Sequence, residues 1–341
     1  MASPVRTLVV DDSATMRAML CAVLDADPGI QVVGAAPEPH TARQMMRELD
    51  PDVVTLDVEM PGMDGLSFLE KIMRLRPTPM VMCSSLTSRA AEVTIEALRL
   101  GAVDFVEKPN GSRDCMARAA AELCEKVKAA ARSRVRQARI AASPATARAN
   151  AWTGFEDRVI AIGSSTGGVD ALFEILPALP ANAPPVLVVQ HMPEAFTGNL
   201  AHLLNGACAM TVREARDCAP LEHGTVYIAP GGGRHMVLSG RTIRLVEGDR
   251  ISGHRPSVDA LFRSVVPLGR KALGVILTGM GDDGAAGLMA MREAGARTFG
   301  QDEQSCVIYG MPRAAAAMGA VERELSLSAI PMAIIGACRS N

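Results

Sequence analysis

Apolar positions along this chain follow two periods, and the switches between them mark out the elements. Short aliphatic and β-branched runs at residues 6–10, 31–35, 52–56, 80–83 and 104–107 are bounded by polar or turn residues and predict strands. Between them, residues 15–25, 41–49, 66–75 and 90–100 carry apolar side chains at helical spacing, the last run stopping at Gly101, and a further helix begins near residue 112. Five such repeats predict a doubly wound parallel sheet with helices on both faces. The alternation returns after residue 155. Strands are predicted over 159–162, 186–190, 225–228, 274–278 and 297–300, and helices over 169–176, 257–265, 285–294 and 312–318. Runs at 235–238 and 242–246 flank Ser239-Gly240-Arg241 and predict a hairpin. The fold class is therefore α/β twice over, with one domain at 1–123, a linker at 124–154 and a second parallel-sheet domain at 155–341.

Composition changes this picture mainly between the two halves. Residues 126–150 hold seven Lys or Arg and no Asp or Glu. The first part, to about residue 140, has helical propensity and extends the last helix of the first domain; residues 141–152 read as flexible. The segment fits a solvated connector or a docking segment for an acidic partner. It lacks interleaved aromatics and no DNA-binding motif follows it, so no nucleic-acid partner is expected. The 341 residues are 48% hydrophobic with a formal net charge of −2, an ordinary globular composition. No apolar run reaches the roughly 18 residues that span a bilayer, and residues 1–6 lack a signal peptide's apolar core, so a cytoplasmic protein without membrane insertion is expected. The scattered cysteines, with no Cys-x-x-Cys, read as buried reduced thiols.

In doubly wound sheets, sites form at the carboxyl ends of the strands. In the first domain those ends carry Asp11 and Asp12, Asp57, Ser84 and Lys108. Three carboxylates in one pocket repel unless a cation joins them, and hard oxygen ligands suit Mg²⁺. Such a pocket would stabilise a phosphoryl group on Asp57, with Lys108 as a second positive charge. Taken singly, each residue also fits a helix cap or a solvated side chain. Together they carry the motifs Val9-Val10-Asp11-Asp12-Ser13, Leu56-Asp57-Val58-Glu59-Met60-Pro61-Gly62-Met63-Asp64-Gly65, Met82-Cys83-Ser84-Ser85 and Glu107-Lys108-Pro109. With these the domain resembles the flavodoxin-like (βα)5 receiver domain of two-component response regulators. The resemblance implies that Asp57 accepts a phosphoryl group from a histidine kinase. It implies Mg²⁺ held by Asp11, Asp12, Asp57 and the carbonyl of Glu59, with Ser84 and Lys108 sensing the phosphoryl oxygens and Phe105 as the aromatic switch.

In the second domain the informative stretch is Val159-Ile-Ala-Ile-Gly-Ser-Ser-Thr-Gly-Gly168, a buried strand running into a glycine turn and a helix. A serine there is held out from the sheet edge beside unpaired helix N–H groups, which suits either a nucleophile with an oxyanion site or a phosphate-binding loop. The loop lacks the Lys of a Walker motif, which weakens the second reading. His191 ends another strand and supplies a candidate base; it also fits a turn histidine. Asp282 and Asp283 follow a third strand, where either also fits a cap of the next helix. His202, His223, His235 and His254 lie in less pointed contexts and read as surface or structural residues.

The motifs Ile162-Gly-Ser-Ser-Thr-Gly-Gly168, Val189-Gln-His-Met-Pro193, Tyr227-Ile-Ala-Pro-Gly231, His254-Arg-Pro-Ser-Val-Asp259, Leu277-Thr-Gly-Met-Gly-Asp-Asp-Gly284, Gln301-Asp-Glu-Gln-Ser305 and Gly310-Met-Pro312 run through this domain. With the receiver–linker–catalytic order, the chain resembles the CheB family of chemotaxis protein-glutamate methylesterases and glutamine deamidases. The resemblance implies Ser165 as nucleophile, His191 as base and Asp283 as the third member of a triad. It implies oxyanion contacts near Thr166 and Gly167 with Met280 close by. No cofactor is implied for ester hydrolysis. The substrates would be methyl-accepting chemoreceptors, the phosphodonor a chemotaxis histidine kinase, and the protein a monomer whose unphosphorylated receiver covers the catalytic edge. The alternative is a receiver-controlled module that only binds a partner.

Overall fold

In the computed structural model, residues 3–60, 65–85, 87–108, 113–133 and 158–339 are described. The chain divides into two compact units, each organised on one parallel sheet.

The first unit alternates β1 (Val5–Val10), α1 (Ala14–Asp25), β2 (Ile30–Ala36), α2 (Pro39–Leu49), β3 (Val53–Asp57), α3 (Gly65–Leu75), β4 (Met80–Ser84), α4 (Ser88–Arg99), β5 (Asp104–Glu107) and α5 (Arg113–Ala131). The strand order is β2-β1-β3-β4-β5, with parallel neighbours throughout. The chain leaves β1 towards β2 and returns to the other side for β3, so the carboxyl ends of β1 and β3 flank the change in winding direction. β3 and β4 are buried along their whole lengths, as strands covered on both faces must be. Side chains fix helix starts: Ser13 accepts from the N–H of Met16, and Thr87 from that of Ala90.

α5 continues to Ala131, into the basic segment, because Leu123, Val127 and Ala130 bury a face along it. Two of the basic residues are neutralised within this unit. Lys126 lies 3.3 Å from Asp104 and 2.8 Å from Glu122, and Lys128 lies 2.9 Å from Asp27 and 2.7 Å from Glu125. The rest of the predicted linker, residues 134–154, lies outside the described residues, as do 61–64 and 109–112.

The second unit contains β6 (Val159–Ser164), α6 (Gly168–Ile175), β7 (Val186–Gln190), α7 (Glu194–Ala207), β8 (Thr211–Glu214), β9 (Thr225–Ile228), the hairpin β10 (His235–Ser239) and β11 (Thr242–Val246), α8 (Val258–Val265), β12 (Ala272–Ile276), α9 (Ala285–Glu293), β13 (Arg297–Gln301), α10 (Met311–Ala317), β14 (Arg323–Leu325) and α11 (Ile330–Cys338). Its parallel sheet runs β14-β13-β12-β6-β7-β9-β8. β6 is central, and the winding direction changes between β6 and β12. β8 and β14, which the apolar pattern does not predict, are the two edge strands; both are short and carry charge (Arg213, Glu214, Arg323, Glu324), as exposed edges do.

β6 extends two residues beyond its predicted end, through Gly163 and Ser164, and is buried throughout. Gly163 pairs with Ile276 on one side and Val189 on the other. A Cβ at Gly163 would lie 2.1 Å from Val258 Cγ1, so α8 packs on β6 at a separation that only glycine permits. β12 ends two residues earlier than predicted, and beyond it the N–H of Thr278 donates to the side chain of Gln301 (2.8 Å) rather than to a backbone carbonyl of β13. Gly163→Ala should therefore destabilise the second unit by about 1–3 kcal/mol, the usual effect of overpacking, read as a lower urea midpoint. An unchanged midpoint would contradict the described packing of α8 on β6.

Candidate functional site

The three residues predicted for catalysis all follow carboxyl ends of strands at the centre of the second sheet. Ser165 comes directly after β6, His191 directly after β7, and Asp283 in the loop between β12 and α9. Ser164 and Gln190 are paired in register, which brings Ser165 and His191 out of adjacent strands at the same level. The N–H of His191 donates to the carbonyl of Ser164 (3.0 Å), and the N–H of Ser165 donates to that of Thr278 (3.0 Å). The loop after β12 thus reaches Ser165 from one side and β7 holds it from the other. His191 Nε2 lies 2.8 Å from Asp283 Oδ2, with side chains 6% and 1% exposed. Strand register sets the neighbourhood of Ser165 and His191.

Asp283 is buried, and donors from the protein surround both of its oxygens. Oδ1 accepts from Ser257 Oγ (2.7 Å) and from the N–H of Asp259 (3.0 Å); Oδ2 accepts from the N–H of Val258 (2.8 Å) besides facing His191. These donors are the first turn of α8, where N–H groups have no helical partner and the helix dipole favours an anion. Burial pushes the Asp283 carboxyl up, but His191, Ser257 and the helix N–H groups outweigh it and hold the group below the ordinary carboxylate range. The expectation that one of the two aspartates caps the following helix takes a different form here. Asp283 caps α8, α9 starts at Gly284 with no side-chain cap, and Asp282 is exposed.

His191 is held at one nitrogen and open at the other. Nε2 faces Asp283, while Nδ1 is buried and has no hydrogen-bond partner. One face of the ring is covered by His254, whose ring is parallel within 5° at a centroid separation of 3.6 Å. His235 is also inside: its Nδ1 accepts from the N–H of Ser257 (3.2 Å), and its Nε2 lies 2.8 Å from the carbonyl of Asp249. Of the histidines read as surface or structural residues, His235 is buried and buttresses the cap of Asp283, and His254 lies against His191. His202 and His223 are exposed.

The two adjacent serines are distinguished by burial. Ser164 is fully buried and donates to Gln190 Oε1 (2.6 Å), whereas Ser165 is half-buried at the turn. Gln190 Nε2 donates in turn to the carbonyls of Ser165 (2.9 Å) and His191 (3.2 Å), tying the two strand ends together. The turn needs Gly167: its φ is +77°, and a Cβ would lie 2.5 Å from Val307 Cβ. Thr166 is buried and its carbonyl accepts from Thr278 Oγ1 (3.0 Å). Met280 is 36% exposed in the loop whose Gly279 packs against Ser165, where a Cβ would lie 2.7 Å from Ser165 Cβ. Of the residues that hold this site, Gln190, Ser257, His235 and His254 are absent from the sequence-based candidates. Gln190, Ser257 and His254 lie in motifs quoted above, but nothing in spacing assigns their contacts.

In the first unit the expected pocket forms at the change in winding direction. Carboxylate oxygens of Asp11, Asp12 and Asp57 lie within 4.8 Å of one another. Lys108 Nζ lies 3.0 Å from Asp11 and 2.7 Å from Asp57. Asp57 Oδ1 accepts from the N–H of Glu59 (3.0 Å). Burial raises the Asp57 carboxyl against the opposing pull of Lys108 and Glu59. Burial lowers the Lys108 ammonium, but Asp57 and Asp11 outweigh it and the group is raised. Asp11 Oδ2 and Asp57 Oδ2 are buried and face the Lys108 ammonium, and three carboxylates outnumber that one positive charge; with hard oxygen atoms throughout, the residues fit a divalent cation. The Ser84 hydroxyl donates to the carbonyl of Ser85 (3.1 Å) and receives from Thr94 (2.8 Å). Phe105 is buried, its ring under Lys126 Nζ at 5.1 Å. Glu59 accepts from Ser85 Oγ (2.8 Å).

Comparison with known proteins covers both units. Residues 160–334 match the family model described as CheB methylesterase, and residues 7–120 the model described as response regulator receiver domain. The protein-glutamate methylesterase/protein-glutamine glutaminase 1 of Caulobacter vibrioides is 54% identical over 339 residues, with 97% of each chain covered. Its namesake from Rhizobium johnstonii is 53% identical, covering 97% of this chain and 95% of the relative. The crystal structure of the Thermotoga maritima CheB methylesterase catalytic domain is 37% identical, with a TM-score of 0.51 over 53% of this chain and 98% of that one. The chain thus belongs to the CheB family of protein-glutamate methylesterases/protein-glutamine glutaminases, with a response regulator receiver domain ahead of the catalytic domain.

Proposed function

We propose that this protein is a serine hydrolase that cleaves glutamate methyl esters on chemoreceptors and deamidates selected receptor glutamines, under control of phosphorylation at Asp57. The observation that carries the reading is the buried His191–Asp283 pair beside Ser165, with Asp283 held ionised and His191 Nδ1 left without a partner. A module that only binds a partner has no use for such a pair. Ser165 Oγ attacks the side-chain carbonyl as His191 Nδ1 takes its proton, and Asp283 stabilises the imidazolium at Nε2. Thr166 and Gly167 supply N–H groups to the oxyanion, with Met280 beside them. The C–O bond to methanol breaks as His191 returns the proton to the leaving oxygen. His191 then takes a proton from the water that attacks the acyl-enzyme and returns it to Ser165 Oγ as the acyl C–O bond breaks, releasing glutamate and restoring the free serine and base. For glutamine the leaving group is ammonia, and the same groups act.

In the receiver, Asp57 takes the phosphoryl group from a histidine kinase; the N–P bond breaks as the carboxylate O–P bond forms. Asp11, Asp12, Asp57 and the Glu59 carbonyl would hold Mg²⁺. The cation supplies positive charge against the carboxylates and the phosphoryl oxygens. Lys108 exchanges its pairing with Asp57 for the phosphoryl group, and Ser84 turns its hydroxyl from the Ser85 carbonyl to the same oxygens. Phe105 follows. Control is a shift between inactive and active populations. We assign the protein to the cytoplasm as a monomer; no helix of the described residues is long and apolar enough to cross a membrane.

Ser165→Ala should lower methanol release from methylated chemoreceptor by several orders of magnitude and abolish labelling by a fluorophosphonate, while Asp57 is still phosphorylated by acetyl phosphate. Near-normal demethylation by that variant would overturn the assignment. With Mg²⁺ present, acetyl phosphate should raise the wild-type rate and leave Asp57→Asn at its basal rate. Equal stimulation of both proteins would remove Asp57 from the control.

A further inference from the structure

We infer that His254 is a positioning residue for His191: its ring face sets the plane of the base and shields it while it carries charge. The inference rests on the assignment of His191 as the base.

A hydrogen bond from Nε2 to Asp283 holds one point of the ring. Nε2 lies closer to the axis through Cβ and Cγ than Nδ1 does, so a rotation about that axis displaces Nδ1 further than it displaces the atom bonded to Asp283. A second contact is needed to fix the plane, and the parallel His254 ring at 3.6 Å provides it. The stack is built rather than incidental, because the turn that carries His254 is clamped. Ile251 and His254 exchange backbone hydrogen bonds (3.1 and 2.9 Å), around Ser252 and Gly253 at φ 48° and 80°. Arg250 Nη1 donates to the carbonyl of Gly253 (3.0 Å), and Arg255 Nη1 to that of Gly248 (2.7 Å). Arg255 Nε also donates to the carbonyl of Gly232 (3.3 Å). Three residues further on, Ser257 caps Asp283. One short segment therefore fixes both the plane of the base and the carboxylate behind it.

The stack also bears on the transition state. His191 becomes a cation during acylation, and an aromatic face against a cation is favourable, more so where water is excluded. A flat ring without a proton to exchange retains both effects, whereas an aliphatic side chain of similar volume retains neither. His254→Phe and His254→Leu separate them from simple filling of space.

Methanol release from methylated chemoreceptor, measured for both variants of the full chain beside wild type and Ser165→Ala, tests this. The expected result is that His254→Leu loses about 10- to 100-fold in kcat with KM unchanged, the scale of a misplaced catalytic group, and that His254→Phe recovers most of it. Thermal unfolding of the variants identifies any that fail to fold; if His254→Leu does, near wild-type kcat in His254→Phe supports the inference. Wild-type kcat in folded His254→Leu would overturn it. So would a folded His254→Phe no more active than His254→Leu, because the ring nitrogens rather than the face would then matter. Activity in Ser165→Ala would instead overturn the triad itself, whatever the His254 variants do.

Discussion

A carboxylate removed from water must be given back the donors it lost, and the catalytic unit is arranged around meeting that demand for Asp283. Two backbone N–H groups of α8, the Ser257 hydroxyl and His191 surround it. The N-terminus of α8 must therefore lie over the sheet centre, and it does so because Gly163 leaves room for Val258. Gly284, also at positive φ, would place a Cβ 2.5 Å from the same valine, so the loop carrying Asp283 depends on a second glycine against one side chain. Ser257 is held from behind by His235 of the β10–β11 hairpin. A two-stranded ribbon outside the main sheet is in this way tied to the charge of the triad. The Asp283 carboxyl is thereby held below the ordinary carboxylate range and stays ionised at neutral pH.

The two units solve a similar topological problem with different chemistry. Each places its reactive side chains at the carboxyl ends of strands that flank a change in winding direction. In the receiver the result is an excess of negative charge, Asp11, Asp12 and Asp57 around a single ammonium, and burial, with Asp11 adding to it, raises the Asp57 carboxyl. In the catalytic unit the buried carboxylate of Asp283 is well supplied with donors and its pKa is lowered. The first arrangement is poised to accept positive charge and a phosphoryl group; the second is poised to receive a proton at one remove, on His191.

Much of this was legible before the structure. Apolar runs ending in Asp11, Asp57, Ser165 and His191 placed reactive groups at strand ends, because a buried parallel strand is a continuous apolar run whose end is abrupt. What sequence could not give is side-chain pairing across long separations. His191 and His254, or His235 and Ser257, meet only because α8 and the hairpin fold over the sheet. Likewise α7 carries Phe196, Leu200, Ala201 and Leu204 at helical spacing and so was within reach, whereas β8 and β14 have too few apolar residues to announce a strand. Cys83, Cys124, Cys306 and Cys338 are buried as expected of reduced thiols, but Cys218 is exposed.

The account turns on which nitrogen of His191 carries the proton. Nitrogen-15 NMR of the imidazoles at neutral pH, with His191 assigned by its loss in His191→Gln, reads this directly. The geometry predicts the tautomer protonated at Nε2, bonded to Asp283, with Nδ1 unprotonated and available to Ser165. A proton resident on Nδ1 would contradict it, since the base would then have nothing with which to accept from the serine.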